Sequence, residues 1–160
     1  MSRIGFGQDS HRFSDDPHRK LILGGVVVPD EAGLEGNSDA DVVLHALCRA
    51  LEQAIGRDSF SQYADEMSGR GINDSREYLK VAKAHVEQAG CRVINIGLTI
   101  EALRPKIEPL SRTMKNTIAG ILEIAEDAIG INATSGEKMT PFGRGEGIQA
   151  FAIVNLDLGR

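Results

Sequence analysis

Ser38-Asp39-Ala40-Asp41-Val42-Val43-Leu44-His45-Ala46-Leu47-Cys48 is the stretch on which the reading of the fold turns. Ser38 followed by Asp41 resembles a capping box, with Asp in place of the usual Glu. The helix it opens is expected to run to about Ile55. Val43, Leu44, Leu47, Cys48, Leu51 and Ile55 recur at helical spacing and form one apolar stripe. Upstream, Arg3 to Gln8 reads as a first strand, and Leu21 to Val28 as a hairpin-like pair around Gly24-Gly25. Downstream, Arg57 to Asn73 is polar and contains glycine, so it reads as a long loop of the kind that is often functional.

Asp74-Ser75 caps a second helix that runs to about Ala89 and stops at Gly90. Cys91 to Ala102 alternates and is rich in β-branched residues, which predicts a strand. Pro105 and Pro109 punctuate the next turn. A third helix follows from about Leu110 to Leu122, fraying toward Ala125. Ile129 to Thr134 and Ile148 to Leu156 are the last strands, separated by a loop from Ser135 to Gly147. This order predicts an α+β fold with helices packed on one face of a mixed sheet.

The chain has 160 residues and shows no repeat, low-complexity tract or linker, so one domain over 1–160 is expected. Apolar residues make up 41% and charged residues 26%, a globular profile. No apolar run approaches the roughly 20 residues needed to cross a bilayer, and no secretory stretch follows Met1-Ser2-Arg3. The expectation is a cytoplasmic protein without a membrane partner. A net charge of −5, 4% aromatic content and no Trp argue against nucleic acid as a partner. Cys48 and Cys91 read as small core residues rather than a disulfide framework.

Three segments could carry chemistry. In Gly5-Phe6-Gly7-Gln8-Asp9-Ser10-His11, alternate side chains of an extended segment share a side, so Asp9 and His11 can converge on one ion. A strand end with a capping Asp and an exposed His accounts for the same residues. On the helix, Asp41 and His45 are four apart and share a face. His45 could be a third ligand, with Asp41 fixing its other ring nitrogen; a core histidine paired with Asp41 is the alternative. Three protein ligands and an open position make a catalytic zinc pattern. In Thr134-Ser135-Gly136-Glu137-Lys138 and Gly143-Arg144-Gly145-Glu146-Gly147, hydroxyls and N–H groups beside glycine could hold phosphate oxygens, and a carboxylate a harder cation. A polar hairpin loop explains those residues too. Arg104-Pro105-Lys106 fits a surface turn equally well.

Taken together, Gly-x-Gly-x-Asp-x-His, Ser-Asp-x-Asp-x-x-x-His and Gly-Arg-Gly-Glu-Gly-Ile resemble, in order and spacing, the 2-C-methyl-D-erythritol 2,4-cyclodiphosphate synthase family. The resemblance covers almost the whole chain. It implies a homotrimer with active sites between neighbouring subunits, zinc, and a second cation, Mg2+ or Mn2+. Asp9, His11 and His45 match the family's zinc ligands, and Glu137 the carboxylate for the second cation. Thr134 and Ser135 match a Thr-Thr pair whose second member helps stabilise the transition state, with Gly136 beside them. Ala102 to Glu108, including Pro105 and Lys106, matches the segment that binds cytidine. Asp58 matches the acid that grips the erythritol hydroxyls, in a substrate-facing loop with Ser59, Phe60 and Asp65. Arg144 matches the arginine of a central cavity where isoprenoid diphosphates are found.

This chain departs from the family's best-known pattern at several of these positions. Asn37-Ser38 stands for His-Ser, Asp58-Ser59-Phe60 for Asp-Ile-Gly, and Tyr63-Ala64-Asp65 for Phe-Pro-Asp. Asn37 can donate a hydrogen bond to phosphate but carries no proton or charge.

The implied reaction is cyclisation of 4-diphosphocytidyl-2-C-methyl-D-erythritol 2-phosphate to the 2,4-cyclodiphosphate with release of CMP, in non-mevalonate isoprenoid synthesis. Asn37 and Ser135 would donate hydrogen bonds to the developing charge. A zinc-dependent phosphohydrolase is one alternative. A trimeric protein that binds an isoprenoid diphosphate at Arg144, with weak catalysis, is the other.

Overall fold

The structure is a computed structural model that describes residues 1–159. Its main sheet has four strands in the order β1 (Ser2–Arg12), β6 (Gly147–Leu158), β4 (Cys91–Glu101), β5 (Ile129–Thr134). β6 runs antiparallel to both β1 and β4, whereas β4 and β5 are parallel, so the sheet is mixed as expected. β2 (Lys20–Leu23) and β3 (Val26–Ala32) form a separate hairpin. Four α-helices, α1 (Val42–Ala54), α2 (Ser61–Gly69), α3 (Ser75–Gln88) and α4 (Ser111–Leu122), and three single-turn 3-10 helices complete the described elements. None is long and apolar enough to cross a membrane.

The first strand alternates in a way that positions everything after it. Gly5 and Gly7 face inward and are buried, followed on the same side by Asp9 and His11, while Ile4, Phe6, Gln8 and Ser10 face outward. A Cβ on Gly5 would lie 1.9 Å from the Ala50 carbonyl oxygen, and one on Gly7 would lie 2.1 Å from that of Ala46. Only glycine lets the α1 backbone come this near β1. Ala150 and Ala152 on β6, paired with Asp9 and Gly7, widen the same shallow trough. The apolar stripe is thus only part of the story for α1, because even Glu52 on its far side is buried.

The expected cap was misplaced by one turn. Asp41, not Ser38, is the N-cap of α1: its carboxylate accepts from the N–H groups of Val43 and Leu44 at 3.1 and 3.0 Å. The Ser38 hydroxyl instead accepts from Ala40 N–H, in a turn where Ala40 has φ +55°. Asp41 also accepts from Gly24 and Gly25 N–H at 2.9 and 2.6 Å. Both glycines have positive φ, as a two-residue hairpin turn requires. One carboxylate therefore ties the β2–β3 turn to the start of α1.

The loop expected over Arg57 to Asn73 contains α2. Phe60, Tyr63, Ala64 and Met67 fall at helical spacing, with Phe60 and Ala64 buried. The stripe is hard to see in sequence because the helix is short, has no side-chain cap and ends among Gly69 and Gly71. β1 runs four residues past the expected end at Gln8 and β3 four past Val28, while the remaining elements differ by a residue or two at the ends; α4 stops at Leu122, where Glu123 turns left-handed at φ +56°. Cys48 and Cys91 are buried free thiols.

Burial, and then the neighbouring Asp39 charge, push the Asp41 carboxyl up from 3.8 to about 6, against the pull of its backbone N–H bonds. A folded-state value above the ordinary one means that ionising Asp41 opposes folding. Its contribution is fully present below about pH 4 and is lost as pH rises through about 6. The unfolding free energy of the parent minus that of Asp41→Asn, from urea titrations, should therefore fall between those values. A difference that stays flat or rises would show that the four N–H bonds outweigh burial.

Candidate metal centre and substrate clefts

Asp9 and His11 descend from the inward face of β1, and His45 comes from the first turns of α1. Asp9 Oδ2 lies 3.0 Å from His11 Nε2 and 3.1 Å from His45 Nδ1. The ligand atoms of all three lie within 4.8 Å of one another, a spacing at which one cation can touch each. Burial alone would raise the Asp9 pKa. Hydrogen bonds to His11 and His45 outweigh it and hold the carboxyl below the ordinary carboxylate range. His11 moves the opposite way: burial opposes its charge, but Asp9 raises its pKa. Asp9 is therefore ionised and ready to act as a ligand.

Asp41 does not fix the other nitrogen of His45, and it is not paired with the imidazole. Its oxygens are taken by four backbone N–H groups. His45 Nε2 instead meets Ser75 Oγ at 2.8 Å, with Ser38 Oγ further off at 3.4 Å. The Ser75 hydroxyl donates to Asp39 Oδ1, and Ser75 N–H donates to Asp39 Oδ2 at 2.9 Å. Nε2 can donate into this chain, leaving Nδ1 to face Asp9. No local signal marks this arrangement in the sequence, because Ser75 lies thirty residues from His45.

The three ligand candidates line a cleft of about 150 Å3 together with Asn37, Ser38, Phe60 and Asp65. Its far wall is α2, through Phe60, Ala64 and Ser68. Ser68 Oγ donates to the Asn37 carbonyl at 3.1 Å, which ties α2 to the loop before α1. Arg49, which the sequence reading passed over, also lines this cleft. Asp58 and Ser59 lie in an adjoining depression that shares Arg49 and Phe60 with it.

The other site candidates lie elsewhere. Ala102, Pro105, Lys106, Thr134 and Ser135 line a second cleft of about 680 Å3. It has no lining residue in common with the first. Gly136 and Glu137 follow in a short turn with φ +70° and +48°. The Ser135 hydroxyl lies 3.4 Å from the Glu137 carboxylate. Arg144 is exposed and pairs with Glu146 at 3.1 Å. Within one chain, then, the structure gathers Asp9, His11, Asn37, Ser38, His45, Phe60 and Asp65, and leaves the Lys106–Ser135 group apart.

Comparison with known proteins agrees with this architecture. The sequence pattern of the YgbB family matches residues 2–157, and the chain belongs to that family. It is 41% identical over 157 residues to 2-C-methyl-D-erythritol 2,4-cyclodiphosphate synthase of Chlamydia muridarum (strain MoPn / Nigg), covering 96% of this chain and 87% of that protein. The synthase of Chlamydia caviae is 39% identical over 156 residues, with 96% and 88% covered.

Among solved structures, the bifunctional IspDF from Campylobacter jejuni superposes with a TM-score of 0.89 at 33% identity. That match covers 98% of this chain and 42% of the bifunctional one. A 2C-methyl-D-erythritol-2,4-cyclodiphosphate synthase in a CDP-bound form superposes with a TM-score of 0.86 at 29% identity, covering 97% of this chain and all of that one.

If Ser75 orients His45, Ser75→Ala should weaken zinc binding by about 10- to 100-fold, the usual cost of losing such a partner. Competition against a chromogenic chelator measures this, with far-UV circular dichroism as the control for folding. Zinc affinity equal to the parent's would remove Ser75 from the metal centre.

Proposed function

We propose that the protein converts 4-diphosphocytidyl-2-C-methyl-D-erythritol 2-phosphate to 2-C-methyl-D-erythritol 2,4-cyclodiphosphate and CMP, as a cytoplasmic homotrimer. The observation that carries this reading is the Asp9–His11–His45 cluster at the floor of a cleft, in a chain of the YgbB family. Two imidazoles and one ionised carboxylate on a rigid strand and helix suit zinc with one position open. Glu137, an oxygen donor in a polar turn, suits a harder ion such as Mg2+ or Mn2+. Bound there, the two ions would polarise phosphoryl oxygens and offset the repulsion between anionic groups.

The reaction is intramolecular. An oxygen of the 2-phosphate forms a bond to the β-phosphorus, and the bond from that phosphorus to the bridging α-phosphate oxygen breaks. CMP leaves with the electron pair. A phosphate monoester is already anionic near neutral pH, so no strong side-chain base is needed, and catalysis consists of bending and neutralising. Asn37 and Ser38, at the lip of the metal cleft, would donate to phosphate oxygens. Ser135 would do the same for the leaving side. The second cleft, with Pro105 and Lys106, would hold the cytidine end, and Asp58 the erythritol hydroxyls.

The trimer reading rests on two features. The two clefts have no residue in common, so a substrate needing both is served if they come from neighbouring copies. The outward face of β1 and β6 also exposes Ile4, Phe6 and Ile153, with Phe6 and Phe151 stacked at 6.0 Å. Such an apolar face on a sheet is suited to burial against another copy. Arg144, exposed in its glycine-rich loop, would face the central cavity and an isoprenoid diphosphate there. The buried free thiols of Cys48 and Cys91 suit a reducing compartment.

Phosphorus NMR of the zinc- and magnesium-loaded protein with the cytidine-linked substrate should show CMP and two coupled signals of a cyclic diphosphate. Inorganic phosphate as the product would indicate a phosphohydrolase, and an unchanged spectrum a binding protein; either would overturn the proposal.

A further inference from the structure

Arg49 lies one helical turn beyond His45, on the same side of α1. Its guanidinium stacks 4.7 Å above the Phe60 ring, which fixes its plane. Among the described residues, its Nε is buried without a hydrogen-bond partner. Its nearest acidic atom is Asp9 Oδ1, 3.6 Å from Nη2 and too far for a hydrogen bond. A guanidinium has five N–H donors, and leaving buried ones unpaired is costly. Nε is one such donor, although about a third of the side chain is exposed, and Arg49 lines both the metal cleft and the Asp58 depression.

Neutralising Asp9 does not account for it. Asp9 already contacts both histidines at 3.0 and 3.1 Å, nearer than Arg49 at 3.6 Å. Arg49 is also the permanently charged cation of the metal cleft, where the Asn37 amide is neutral.

We propose that Arg49 is the substrate-binding residue that grips the 2-phosphate, through two parallel N–H bonds to its oxygens. This rests on the function proposed above. Of the substrate's phosphates, the one on C2 is nearest the hydroxyls assigned to Asp58, and Arg49 lines that depression as well as the cleft. The planar fork of arginine matches a phosphate's paired oxygens, which a lysine does not reproduce. Arg49 thus supplies, from α1, the fixed positive charge that Asn37 does not.

The test compares the parent with Arg49→Met and Arg49→Lys as zinc-loaded full-length proteins. Arg49→Met should lower kcat/KM by about 100- to 1000-fold, the range for losing a charge-stabilising donor. Arg49→Lys should recover part of that. Zinc content by mass spectrometry should stay at the parent's level. Calorimetric binding of 4-diphosphocytidyl-2-C-methyl-D-erythritol, which has no 2-phosphate, should change less than about twofold, because none of the lost hydrogen bonds is made to it.

Equal weakening of that ligand, loss of zinc, or an unchanged kcat/KM would each overturn the proposal. Inorganic phosphate titrated onto the protein and followed by its phosphorus NMR linewidth needs no turnover. Arg49→Met should weaken it about tenfold, the worth of one charged hydrogen bond, even if the parent forms no cyclic product. Equal phosphate binding by parent and variant would overturn the role of Arg49 independently of the reaction.

Discussion

The closeness of α1 to β1 is the constraint on which the rest depends. With Gly5 and Gly7 under the carbonyls of Ala50 and Ala46, helix and strand meet at backbone distance. Two residues further along the same face of the strand come Asp9 and then His11, and the start of the helix above them carries His45. A larger residue at either glycine would lift the helix and, with it, the imidazole. A metal site needs its ligands placed within a few tenths of an ångström. The glycines supply that by removing every side chain between the two elements.

Around this contact, carboxylates do the locating. Asp41 joins the hairpin turn at Gly24-Gly25 to the first turn of α1. Asp39 reaches across to the start of α3 and, through Ser75, sets the ring of His45. Two acids in one short segment thus hold the helix and its ligand, while a third, Asp9, remains available for a cation. Their roles separate by partner: backbone N–H groups for Asp41, a hydroxyl and an N–H for Asp39, and two imidazoles for Asp9.

Much of the fold was legible in the sequence because the signals were local. The Gly24-Gly25 turn, the cap at Asp74 and the stop at Gly90 each act within a few residues. The alternation that brings Asp9 and His11 together is likewise a property of one strand. Three things were not legible. The helix α2 has a stripe of four modest residues and no cap, so its order comes from packing over the cleft. The partner of His45 is thirty residues away in sequence, at Ser75, and the nearer Asp41 is a natural but mistaken choice. Arg49 carries no local signal in the sequence, and its place beside Phe60 appears only when α2 is folded over it.

The central claim is that these elements build a three-ligand centre from Asp9, His11 and His45 with an open position. X-ray absorption at the zinc edge of the loaded protein tests it most directly. The account predicts a shell of two imidazole nitrogens and light oxygen donors at about 2.0–2.2 Å, with no sulfur. It also predicts that one oxygen gives way to a phosphate oxygen when CDP is added. A sulfur shell at about 2.3 Å, or a spectrum without imidazole scattering, would contradict it.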